Sequence, residues 1–156
     1  MTELSFAQEQ LWFIDEFHHG LAAHNLPGIV RLRGPLDVAA LGRALDGVAA
    51  RHEALRTRLL AGPDGQPVQV IDQPGTVELP VIDRPGQDAA ELAAEAALTP
   101  FHLATDWPLR ARLARLGDDD HALILVSHRT AFDAASWPVL LNELAALYEG
   151  AQPDEP

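Results

Sequence analysis

The stretch Ala122-Leu-Ile-Leu-Val-Ser127-His128-Arg129-Thr-Ala-Phe-Asp133-Ala-Ala-Ser136 decides how the chain is read. Its first five residues form an unbroken apolar run, preceded by the polar Gly117-Asp-Asp-Asp-His121. A run of this length between turn signals predicts a strand buried on both faces. The strand delivers His128, Arg129 and Asp133 into a turn, and a helix is expected from Ser136. Ionisable groups set just beyond the end of a buried strand are a common way to build a site in a crevice. A strand-to-helix loop with solvated polar residues satisfies the same pattern.

Outward from that segment the chain alternates helices and hairpins. Leu109 to Leu116, with Arg110, Arg112 and Arg115 between apolar residues, pairs with the central run through the acidic turn. Ser5 to Phe17 has the spacing of an amphipathic helix, with Ser5 and Gln8 forming a capping box and Gly20 suited to the C-terminal cap. Gly28 to Arg33 reads as a strand. Asp37 caps a helix whose Val38, Leu41, Leu45 and Val48 keep helical spacing to about His52. Residues 57–71 form a β-hairpin about Gly62-Pro-Asp-Gly65. Val77 to Ile82 is a short strand, Asp88 to Leu98 a helix, and 136–149 the last helix. Residues 1–150 make one lobe, and 151–156 have linker composition.

Composition narrows the function. The 156 residues suit one domain with a sizeable core, and 47% are hydrophobic, too many for disorder. The formal net charge of -12 argues against nucleic acid or an anionic membrane as partner. With no cysteine, thiolate catalysis and Cys-ligated zinc are excluded. The polar Met1-Thr2-Glu3 start and the lack of a long apolar run indicate neither signal peptide nor membrane span, so the cytoplasm is the expected compartment. His18, His19 and His24 are close in sequence, but neighbours do not share a helix face, which favours solvated histidines over a metal cluster.

Three segments together resemble one family. Ser5-Phe-Ala-Gln8-Glu-Gln-Leu11-Trp12-Phe13 is similar to the first core motif of the condensation domains of non-ribosomal peptide synthetases. Arg51-His52-Glu53-Ala-Leu55-Arg56-Thr57 resembles the second, and Ser127-His128-Arg129-Thr-Ala-Phe-Asp133-Ala134 stands in place of the third, the His-His-x-x-x-Asp-Gly active-site motif. The resemblance implies an α+β sandwich like chloramphenicol acetyltransferase, with helices packed on a mixed sheet. A full domain of this kind has two such lobes with the site in a tunnel between them. This chain resembles the N-terminal lobe, without the later motifs.

The same resemblance implies roles. The family's catalytic second His is Arg129 here, and a guanidinium remains protonated at any working pH, so it cannot act as a base. The motif Gly is Ala134, which adds bulk where the turn calls for a special dihedral. His128 matches the family's structural first His; heterocyclising relatives carry Asp there. Asp133 matches the motif Asp, and an ion pair with Arg56 of the second motif is expected, Arg129 being the alternative partner. His24 and His102 are read as surface drift, and Trp107 and Trp137 as core or lobe-interface residues. The motif is therefore degenerate at His128, Arg129, Asp133 and Ala134. The implied role is binding: a carrier protein bringing its own phosphopantetheine, a neighbouring synthetase domain, or a cytochrome P450. P450 recruitment is the role of the X domains of glycopeptide synthetases, which also replace the second His by Arg. No resident cofactor or metal is expected. The alternative is half of a working acyltransferase that needs its second lobe. A lone lobe would expose its apolar lobe interface, so self-association or a tight partner is expected.

Overall fold

A computed structural model describes residues 3–18 and 21–151. The elements run α1 (Phe6–Phe17), β1 (Asn25–Arg33), α2 (Val38–Arg51), a 3₁₀ turn (Glu53–Arg56), β2 (Thr57–Ala61), β3 (Pro67–Ile71), β4 (Val81–Asp83), α3 (Ala89–Ala96), β5 (Leu109–Gly117), β6 (Asp120–His128) and α4 (Ser136–Tyr148). A four-stranded sheet has the order β1-β6-β5-β4, and β2 and β3 form a separate hairpin. β6 is antiparallel to both β1 and β5, whereas β4 is parallel to β5. Two parallel strands need a crossover, and α3 lies within that connection. None of the described helices is long and apolar enough to cross a membrane.

The central run is buried on both faces, as its composition requires. Leu123 and Leu125 join Leu41, Leu45, Val48, Leu140 and Leu144 in the core under α2 and α4. Ala122, Ile124 and Val126 join Trp12, Leu92, Ala93 and Phe101 in a second core under α1 and α3. Alternate residues of one strand thus serve two different cores. Leu45, Leu123 and Leu125 are among the fully buried side chains.

Two elements differ from expectation in informative ways. β1 begins at Asn25 rather than Gly28 and includes Pro27. Proline has no amide to give a ladder, but β1 is an edge strand, where one is tolerated. The strand expected over residues 77–82 shrinks to Val81–Asp83. Upstream of it the Pro80 carbonyl still accepts from the Leu113 amide, at 2.9 Å. The α1 capping box forms as read, with Gln8 Oε1 accepting from the Ser5 amide at 2.9 Å and Ser5 Oγ accepting from the Gln8 amide at 3.3 Å. Gly20, His19 and residues 152–156 lie outside the described residues.

Candidate functional site

The end of β6 fixes the motif loop from both sides. The His128 amide donates to the Pro108 carbonyl at 3.0 Å, and the Arg129 amide donates to the His24 carbonyl at 3.1 Å, which extends the β1–β6 pairing by one step. Ser127, fully buried, donates its hydroxyl to the same Pro108 carbonyl at 2.8 Å. Beyond the strand, the Ala131 amide returns to the His128 carbonyl at 3.1 Å, and Phe132 turns into the core against Trp137, ring centroids 4.6 Å apart.

His128 is 4% exposed, packed edge-on against both Phe101 and His24 at centroid distances of 5.7 and 6.2 Å. Its Nδ1 accepts the Thr130 amide at 3.2 Å and lies 3.1 Å from the Thr130 hydroxyl. Nδ1 as an acceptor assigns the proton of the neutral ring to Nε2. Burial, reinforced by His24 and by the Arg110 guanidinium, pushes the imidazole down from 6.5 to about 4. His128 is a buried ring that holds the following loop through Thr130.

Arg129 is the other kind of residue. Its side chain is exposed, and among the described residues its guanidinium takes no hydrogen bond or ion pair. Ala134 is exposed as well. The expectation that alanine strains this turn is overturned: among the described residues only Asp119 combines a side chain with positive φ, at 51°. The backbone at 134 does not require glycine.

The expected Asp133–Arg56 ion pair does not form. Arg56 is 9% exposed, and its donors face main-chain carbonyls: Nε to Ala49 at 3.3 Å, Nη2 to Ala50 at 3.5 Å, and Nη1 to Asp72. The last carbonyls of α2 lack intrahelical partners, and a cation there satisfies them while complementing the helix dipole. Arg56 is the C-terminal cap of α2. The carboxylate within its reach is Glu53, at 3.8 Å. Asp133 instead accepts the Ser136 hydroxyl at 2.7 Å, and its carbonyl accepts the Ser136 amide at 3.0 Å, which starts α4. Arg129 is no partner to it either.

Other residues of the second motif do reach α4. His52 Nε2 lies 2.5 Å from Glu143 Oε2, with Arg51 Nε at 3.6 Å from the same oxygen. A cavity of about 280 Å³ opens beside this cluster, lined by His52, Leu55, Phe132, Asp133, Ser136 and Val139 among others. A larger one of about 550 Å³ lies at the far side of β5, along Trp107, Arg110 and Arg112. It does not border the motif loop.

Two neighbours of the motif loop escaped sequence reasoning. His24 is half-buried with Nδ1 shielded and unpaired, a ring neighbour of His128 rather than surface drift. Asn25 donates from Nδ2 to the Ala97 and Thr99 carbonyls, both at 2.9 Å, and so ties the end of α3 to β1. Both positions follow from the β1–β6 register, for which no local signal exists. His102 is exposed, as read. Trp107 and Trp137 pack against the main core, and Trp107 Nε1 donates to Asp72 at 2.8 Å.

Comparison with known proteins gives a consistent answer. The family model described as Condensation domain matches residues 1–156. The chain is 41% identical over 150 residues to the bassianolide nonribosomal cyclodepsipeptide synthetase of Beauveria bassiana, covering 96% of this chain and 5% of that protein. It is 40% identical to the isonitrile lipopeptide synthase of Mycobacterium tuberculosis, covering 93% of this chain and 6% of the relative. Among solved structures, the complex of the X-domain and OxyB from teicoplanin biosynthesis superposes with a TM-score of 0.86 at 33% identity, over 100% of this chain and 36% of that one. The first condensation domain of the calcium-dependent antibiotic synthetase, solved with a substrate analogue, gives 0.83 at 26% identity, over 99% of this chain and 40% of the other.

Proposed function

The chain belongs to the condensation-domain family of non-ribosomal peptide synthetases and has its chloramphenicol-acetyltransferase-like fold; from that premise we propose that this lobe does not form peptide bonds and acts by binding. The observation that carries this is Arg129. At the position where the resemblance puts the catalytic base stands an exposed guanidinium, which stays protonated and can bind an anion or orient a partner but cannot accept a proton. The neighbouring imidazole cannot substitute, because His128 is buried and its Nδ1 is engaged by Thr130.

The partner is a carrier protein, an adjacent synthetase domain or a tailoring enzyme. The likeness to an X-domain solved together with OxyB supports the last of these. A second reading, an acyltransferase half that works once a second lobe is supplied, is favoured by the synthetase names of the relatives at 40–41% identity.

One experiment separates them. The chain is titrated with a pantetheine-loaded carrier protein, and the two-lobed protein containing it is assayed for condensation with and without Arg129→His plus Ala134→Gly. Saturable binding without product, with product only after both substitutions, is the expected result. Condensation by the unsubstituted two-lobed protein overturns the proposal.

A further inference from the structure

Helix α1 is apolar on two sides. Trp12 is buried in the core beneath α3, yet Phe6, Phe13 and Phe17 remain 75%, 38% and 80% exposed. At 3.6 residues per turn these three rings fall within an arc of about 40°, and they form a stripe about 17 Å long. Trp12, the buried residue of α1, points about 100–140° away from these rings around the helix. Ile14, exposed to a similar degree as Phe13, extends it along one flank. With ordinary aromatic side-chain areas the three rings alone expose roughly 400 Å². A patch of that size equals the largest on a typical monomer, and such patches are often functional. Phe13 is held by an edge-on contact with Trp12 at 5.1 Å, so part of the surface is preorganised.

The rim of the stripe identifies what fits it. On that helical spacing Glu9 and Glu16 stand along the other flank of the stripe, about 60–80° from its centre, whereas Asp15 lies on the far side of the helix; residues 3–18 include no lysine or arginine. Two antiparallel copies of α1 laid face to face would bring their Glu9 and Glu16 rows together, in a chain already carrying -12. An anionic bilayer is repelled by the same charges.

We propose that this face of α1 is a docking surface for a helix of opposite character in a protein partner, one with an apolar ridge flanked by lysine or arginine. The apolar ridge lies along the phenylalanine stripe, and the flanking cations meet the acidic rim. The surface is independent of Arg129 and of the motif loop, so it stands or falls apart from the functional reading above.

The test uses two fluorescein-labelled helical peptides with identical leucine faces, one flanked by lysine and the other by glutamate, titrated with the full chain and read by anisotropy. Saturable binding of the lysine peptide, weakened by salt, is expected, with at least tenfold weaker binding of the glutamate peptide. Phe6→Ser with Phe17→Ser should reduce affinity for the lysine peptide at least tenfold with an unchanged circular dichroism spectrum. Leu98→Ser, at a residue 73% exposed elsewhere, should leave it unchanged. Equal affinity for both peptides, or indifference to the phenylalanine substitutions, overturns the proposal. So does dimerisation of the chain that those substitutions abolish, since the surface then belongs to a second copy.

Discussion

Replacing Arg56 by Met retains the buried apolar stem and removes the guanidinium donors from the C-terminal end of α2, where the His52 amide still donates to Val48. Three carbonyls, those of Ala49, Ala50 and Asp72, then lose their partner. Hydrogen bonds from a charged donor contribute roughly 1.5–3 kcal/mol each when short. The bonds to Ala49 and Ala50, at 3.3 and 3.5 Å, are long and fall well below that. The sum is a loss of about 3 kcal/mol, or roughly 6–12 °C in a chain of this length. Asp133→Asn, at an exposed residue whose replacement still accepts the Ser136 hydroxyl, should change stability by less than about 0.5 kcal/mol. The double variant decides between the structure and the family expectation. Without a direct interaction the two effects add to within about 0.5 kcal/mol. A buried Arg56–Asp133 ion pair would make each single substitution cost about 3–5 kcal/mol and the double variant scarcely more. Urea unfolding of the four proteins, followed by circular dichroism, measures the coupling. A coupling above about 1 kcal/mol would refute the assignment of Arg56 as a helix cap.

Two other outcomes follow from the site. A Cβ at Gly28 would lie 2.6 Å from Cη2 of Trp137, whose ring is already backed by Phe132, so Gly28→Ala should destabilise by about 1–3 kcal/mol; a thermal melt identical to the parent would show that the α4 end yields freely. His128 titrates near 6.5 when unfolded and at about 4 when folded, so stability present above pH 6.5 should be lost as the pH falls towards 4. Urea midpoints across that window should be flatter in His128→Gln, and an imidazole NMR titration near 6.5 in the folded protein would contradict the burial argument.

Much of the fold is legible locally. The capping box of α1 and the Asp37 cap of α2 involve residues three apart, so their chemistry is written in sequence. The hairpin of β2 and β3 is set by its turn, and the pairing Thr57↔Ile71 to Ala61↔Pro67 falls where the turn residues put it. The unbroken apolar run 122–126 announces a strand covered on both faces, because no half-exposed strand sustains five apolar residues in a row. The motif segments identify the family, and a guanidinium rather than an imidazole at residue 129 can be read directly.

The polar partnerships were settled only in three dimensions. The resemblance to the family implies a pair between Arg56 and Asp133 of two motifs. Nothing local reveals that the open carbonyls of α2 surround the guanidinium first, or that Ser136 takes the carboxylate. His24 and Asn25 acquire their neighbours from the pairing of β1 with a strand about a hundred residues later, where Asn25 meets His128. The phenylalanines of α1 illustrate the same division. Helical spacing places apolar residues on more than one side of α1, but only packing decides that Trp12 enters the core while Phe6 and Phe17 face solvent. Sequence determined the elements, the central strand and the chemical identity of each site residue, because these depend on side chains and close neighbours. Tertiary structure decided which charges meet and which apolar face stays open, because those depend on distances between segments far apart in the chain.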